Sequence, residues 1–153
     1  ILHHSQYILE LWKENRIRLS KQLTTLAYHD PCELGRGLSV YKEPVELLRR
    51  IGIVKTSYPH ENNSLCCGGS LADTQLSMEE RDTITKEALN QILVNHPQYL
   101  ATACPLCKKT FAKHSSKVPV MDIAELVYRN IISEKIAAEK SKTRKDMEEP
   151  VLL

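Results

Sequence analysis

Two adjacent cysteines followed by two glycines, Cys66-Cys67-Gly68-Gly69, are where chemistry is first expected. They fall in residues 62–70, a run that reads as an irregular loop. The other three cysteines are ordered around them. Cys32 lies 34 positions before Cys66, and Cys104-Pro105-Leu106-Cys107 begins 37 positions after Cys67. The inventory is C-x33-C-C-G-x35-C-x2-C, with no cysteine left over. An odd count argues against a closed disulfide framework. In a chain without a visible secretion signal, clustered thiols more often bind metal or do redox work than cross-link the fold.

Cys104-Pro105-Leu106-Cys107 places two thiols about one helical turn apart, with Pro105 suited to the first helical position. Free amides and the positive end of the helix dipole at such a terminus lower thiol pKa and tolerate anionic sulfur. Alone, the pair also fits a thioredoxin-like redox motif. Adjacent side chains are expected to diverge, so Cys66 and Cys67 suit two metals of a polynuclear cluster better than two corners of one ion. Gly68 and Gly69 let the backbone approach closely. A structural zinc is closed by four ligands, one fewer than are present. Iron–sulfur clusters are built on thiolates and suit the count better. Zinc held by four of the five remains the alternative.

The elements that position these residues alternate in type. Residues 5–17 read as a helix with an apolar stripe of Ile8, Leu9, Leu11 and Trp12, the last a core anchor. Residues 24–28 form a strand that ends at His29-Asp30-Pro31, and residues 33–41, with Gly35 and Gly37, a loop. Pro44 opens a helix at its first position, and Gly52 closes it in the left-handed conformation. Residues 53–58 are a strand closed by Pro59. Ser77-Met78-Glu79-Glu80 is a capping box for a helix carrying Ile84, Ala88 and Ile92, which stops at His96-Pro97. Residues 99–103 are a strand running into Cys104, residues 118–121 a fourth strand, and residues 123–132 a helix. The domain is expected over residues 1–132, with 133–153 a charged tail, frayed or disordered.

This alternation predicts an α/β fold: a small parallel, or mostly parallel, sheet flanked by helices. Cys32, Cys66/Cys67 and Cys104 each follow a predicted strand. Ligands gather outside the carboxyl ends of parallel strands, so the five cysteines are expected to converge on that edge. Nearby polar residues have more than one role open to them. His29 and Asp30 can shuttle a proton to a thiolate or hydrogen-bond the loop. Arg36 can neutralise a cluster, bind an anionic substrate or form a surface ion pair. Lys108 and Lys109 can steer a partner or form a solvated face. His60, His96 and His114 are expected on the surface.

A formal net charge of +2 over 153 residues gives no footprint for nucleic acid or a membrane surface. No apolar run is long enough to span a bilayer. The start at Ile1, without methionine or signal-peptide pattern, suggests a fragment.

Three motifs at linked spacing carry a family resemblance: Tyr28-His29-Asp30-Pro31-Cys32-Glu33-Leu34-Gly35-Arg36, Leu65-Cys66-Cys67-Gly68-Gly69 and Thr102-Ala103-Cys104-Pro105-Leu106-Cys107. From about His3 to about Tyr128 the chain resembles the cysteine-rich CCG domain of heterodisulfide reductase and its relatives. These include the iron–sulfur components of glycolate oxidase, of lactate utilisation and of anaerobic glycerol-3-phosphate dehydrogenase. The resemblance implies a noncubane [4Fe–4S] cluster on Cys32, Cys66, Cys67, Cys104 and Cys107, receiving electrons and splitting a disulfide or serving an organic-acid oxidase. It implies partners within a redox complex, including a second CCG copy, this chain being the C-terminal one. The expected location is cytoplasmic, free or attached to a membrane-bound complex. Val45, where an arginine is common, and Ser70-Leu71-Ala72, in place of a glycine-rich stretch, depart from the pattern and bear on substrate identity. Some CCG domains hold zinc.

Overall fold

The computed structural model describes residues 1–55, 61–69 and 76–132. The expected end of the second strand at Tyr58-Pro59, His60, the Ser70-Leu71-Ala72 departure and the charged tail lie outside them.

Four strands, β1 (Thr25–His29), β2 (Ile53–Val54), β3 (Tyr99–Thr102) and β4 (Val120–Asp122), form one sheet in the order β2-β1-β3-β4. Every pairing is parallel. The α/β expectation therefore holds, and all four carboxyl ends share one edge. Helices α1 (His4–Lys13), α2 (Lys42–Ile51) and α5 (Ile123–Asn130) cover one face. Their Leu9, Leu47, Leu48, Ile51, Leu126 and Val127 pack against Leu26, Tyr28 and Ala101. Helices α3 (Met78–Ile92) and α4 (Pro105–His114) cover the other, where Ala88, Leu89, Ile92 and Phe111 meet Ala27 and Leu100. The alternating pattern of β1 and β3 thus feeds two cores, as a sheet covered on both faces requires.

Local signals explain most boundaries. Ser77 accepts from the Glu80 amide while Glu80 accepts from the Ser77 amide, the expected capping box. Pro105 opens α4. A second acidic box, Asp122 with Glu125, turns β4 directly into α5.

Several expectations need correction. The first helix stops at Lys13, and Asn15 takes φ 58° as the chain leaves it. Trp12 is a rim residue, half-buried, with the Arg50 guanidinium 4.1 Å from its ring centroid, a cation–π contact. Pro44 occupies the third helical position of α2, whose first-turn amides have no intrahelical partner, so its missing N–H costs nothing. Gly52 is extended (φ −159°), not left-handed. Its glycine is required by space, since a Cβ there would lie 2.8 Å from the Thr24 carbonyl oxygen and from Leu26 Cδ1. The segment after Cys32 is not open loop: Glu33–Gly37 forms one wide helical turn with Leu34 buried. Ile131 leaves α5 to make an antiparallel bridge with Leu19.

Candidate metal centre

Three connections leave the carboxyl edge bearing sulfur. Cys32 follows β1 and precedes the wide turn, Cys66 and Cys67 lie in the connection after β2, and Cys104 caps α4 directly after β3, with Cys107 one turn on. Cys67 and Cys107 are buried in the α3/α4 core; Cys32, Cys66 and Cys104 are half-buried.

The double-cysteine loop is held from both sides. On the β1 side, His29 Nε2 lies 2.9 Å from the Leu65 carbonyl oxygen, and its Nδ1 lies 3.4 Å from Thr102 Oγ1 on the neighbouring strand. Asp30 Oδ2 accepts from the Glu61 amide (3.1 Å), securing the short 3₁₀ turn Glu61–Asn63. Arg36 Nη1 donates to the Ser64 carbonyl oxygen (2.8 Å) and to Ser64 Oγ (2.9 Å). His29, Asp30 and Arg36, expected as candidates for chemistry, all spend hydrogen bonds on this loop. On the helix side, the buried Thr85 Oγ1 donates to the Cys67 carbonyl oxygen (2.8 Å). Gly68 adopts φ 81°, and a Cβ there would lie 2.8 Å from both the Arg81 carbonyl oxygen and Thr85 Oγ1. A Cβ on Gly69 would overlap Thr110 Oγ1 of α4. The glycine pair is thus wedged between α3 and α4, a role for Thr85 and Thr110 that no motif in the sequence signals.

The wedge also orients sulfur. The Gly68 amide donates to Cys66 Sγ (3.4 Å) and the Gly69 amide to Cys67 Sγ (3.3 Å). Each sulfur thus turns back onto the amide two residues further along the chain. Cys67 shares the α3/α4 core with Cys107. Hydrogen bonding to Cys107, more than burial, pushes the Cys67 thiol up to about 11. The Cys66 thiol is raised by its bond to Cys67 and then by burial, with Arg36 and the Gly68 amide opposing. Thiols raised in this way resist becoming anions until a cation shares the charge. Among the described residues, no three His, Cys, Asp or Glu side chains are grouped as donors to one ion.

Burial holds His29 neutral, its pKa lowered to about 4, with Arg36 acting in the same direction and the Leu65 carbonyl against both. Its ring stacks edge-on to Phe111, with centroids 4.8 Å apart. Of the two lysines beside Cys107, Lys108 pairs with Glu125 (2.6 Å) while Lys109 stays exposed on the α3 side. His96 is exposed, as expected. His114 is not: its side chain is only 11% exposed, and Nε2 lies 2.9 Å from Asp82 Oδ1.

Fold and site together define a parallel α/β domain organised around a thiol-bearing sheet edge. The chain belongs to the cysteine-rich domain family CCG, which matches residues 26–112. An uncharacterized iron–sulfur protein of Methanococcus maripaludis is 34% identical over 113 residues, 67% of this chain and 23% of that protein. One component of the dihydromethanophenazine:CoB–CoM heterodisulfide reductase of Methanosarcina barkeri is 30% identical over 140 residues, 83% of this chain and 33% of that component. The EtfAB:quinone oxidoreductase of Syntrophomonas wolfei is 29% identical over 147 residues, 84% of this chain and 20% of that enzyme. The chain therefore spans between a fifth and a third of the length of these relatives. Among the described residues no helix is long and apolar enough to cross a membrane.

Proposed function

We propose that this chain is the iron–sulfur redox module of an oxidoreductase, with Cys32, Cys66, Cys67, Cys104 and Cys107 holding a noncubane [4Fe–4S] cluster. The observation that carries the reading is that three connections at one carboxyl edge bear the five cysteines, with the Cys66 and Cys67 sulfurs already receiving amide hydrogen bonds. Donors of this kind favour thiolate and suit a thiolate-ligated cluster. The descriptions of the relatives, iron–sulfur proteins and components of redox enzymes, support the same class.

When bound, such a cluster supplies one-electron chemistry. The residues of the chain do the rest. Cys66 and Cys67 surrender protons as they ligate. Arg36 brings a positive charge to the loop and favours the Cys66 thiolate. Neutral His29 fixes the backbone before Cys66 without adding charge. Electrons pass to a disulfide or an organic-acid-linked partner, within a complex that includes a second CCG domain. The module works in the cytoplasm, free or attached to a membrane-bound complex.

The test is iron, acid-labile sulfide and zinc per chain after anaerobic purification, for the parent and for Cys66→Ser and Cys67→Ser. Iron and sulfide in the parent, lost in both variants, are expected. Full zinc occupancy with one of the two substitutions silent would replace the redox reading with a zinc-bound structural domain.

A further inference from the structure

Helices α3 and α4 leave between them a groove of about 270 Å³ whose floor is the Gly68–Gly69 pair, the two residues after Cys67. Its walls carry Arg81, Lys109 and Lys113 against one carboxylate, Asp82. That carboxylate is already engaged, by Lys113 at 3.4 Å and His114 at 2.9 Å. Arg81 and Lys109 make no ion pair among the described residues, and Arg81 Nε is shut away from solvent without a hydrogen-bond partner among them. Apolar surface rims the groove: Met78 is 73% exposed and Leu106, between Cys104 and Cys107, is 41% exposed.

We propose that this groove is the docking site of an electron-carrier protein with an acidic face, one of whose carboxylates enters between Arg81 and Lys109 while its apolar surface covers Met78 and Leu106. This rests on the redox reading above. Cations steer an acidic partner from a distance, and Arg with Met suits the core of a small transient interface. The position fits electron transfer, since Leu106 and Gly68 are chain neighbours of Cys107 and Cys67 and the contact lies against the backbone that carries them. One electron leaves the carrier, which is oxidised, and reduces the iron–sulfur centre by one; no bond or proton changes hands.

The experiment uses the anaerobically isolated holoprotein and flavodoxin, an acidic carrier, as probe. Binding of oxidised flavodoxin is titrated, and reduction of the iron by flavodoxin hydroquinone is followed by stopped flow against ionic strength, with dithionite as a small reductant. Lys109→Glu and Arg81→Gln are expected to weaken binding and slow reduction about tenfold at low salt, an effect lost at high salt as the charges are screened. Lys21→Glu, the same charge change just before β1 at the amino edge, should alter neither, and dithionite should reduce all variants alike. Equal binding by the parent, Lys109→Glu and Arg81→Gln overturns the proposal, as does a groove that takes inorganic phosphate through Arg81 but never flavodoxin. Failure of dithionite to reduce the parent refutes the redox reading instead, and the binding titration then judges the groove alone.

Discussion

Gly68→Ala isolates what holds the cysteine loop in place. Two costs arise at this residue. At φ 81° an alanine is forced into the left-handed region, at roughly 1–2 kcal/mol. Its Cβ would lie 2.8 Å from the Arg81 carbonyl oxygen and from Thr85 Oγ1. The first neighbour is helix backbone and cannot swing away, so overpacking adds roughly 1–3 kcal/mol. If Thr85 turns aside, its 2.8 Å bond to the Cys67 carbonyl is lost as well, about 1 kcal/mol net. The expected total is roughly 2–5 kcal/mol, read as a fall in the urea midpoint at unchanged slope for the reduced, metal-free chain. Gly68→Asn separates the two costs, because asparagine tolerates the left-handed region but still carries a Cβ. If sterics dominate, Asn is nearly as damaging as Ala; if φ dominates, Asn recovers most of the loss. A Gly68→Ala chain within about 1 kcal/mol of the parent would refute the wedge between α3 and α4.

Other outcomes follow from the same geometry. Thr85→Val, which keeps the volume but removes the bond to the Cys67 carbonyl, should lower iron retention under a chelator, and Thr85→Ser should restore it. Arg36→Gln should lose the double contact to Ser64 and slow cluster assembly, measured as the rate of iron and sulfide uptake by the reduced chain. His29 is neutral in the fold, its pKa lowered to about 4 from 6.5, so the unfolded chain binds the extra proton between those values. Stability should therefore fall as pH drops from about 6.5 towards 4, by up to about 3 kcal/mol, and His29→Asn should flatten that slope in acid denaturation curves. Metal uptake should release protons and strengthen with pH, because the Cys66 and Cys67 thiols are both raised; calorimetry in buffers of different ionisation enthalpy reads the number released.

The strand–cysteine alternation makes the sheet edge legible in the sequence alone. Cys32 and Cys104 follow their strands within three residues, and a parallel sheet leaves its carboxyl ends nowhere else to go. The Ser77 box and Pro105 are equally plain, because a cap is a local matter. What escapes depends on neighbours distant in sequence. Gly52 reads as a helix cap, but it is the Thr24 carbonyl, 28 positions away, that leaves no room for a Cβ there. Thr85 is an ordinary helix residue until Cys67 stands beside it, and His114 has no visible partner until α3 brings Asp82 within reach. Nor does any motif announce that the Gly68 and Gly69 amides donate to the two sulfurs.

These contacts bear on how substitutions at the sulfurs should be interpreted. In a small zinc domain metal affinity is itself folding energy, and losing one ligand collapses the structure. Here the loop has its own supports, from His29, Asp30, Arg36 and Thr85, and two apolar cores stand on either side of the sheet. The backbone around the sulfurs is therefore shaped without metal, and a lost ligand should cost the cluster more than the fold. The five positions are not equivalent in this respect. Cys67 and Cys107 also pack in the α3/α4 core, where a serine hydroxyl would need a new partner, so their replacement mixes a packing defect with a ligand defect. Cys32, Cys66 and Cys104 are half-buried and free of most of that penalty. Cys66→Ser is the cleanest of them, because its neighbour keeps the Thr85 and Gly69 bonds that shape the loop. Iron lost from Cys66→Ser with the urea midpoint unchanged would separate ligation from folding in a way that no substitution at Cys67 can.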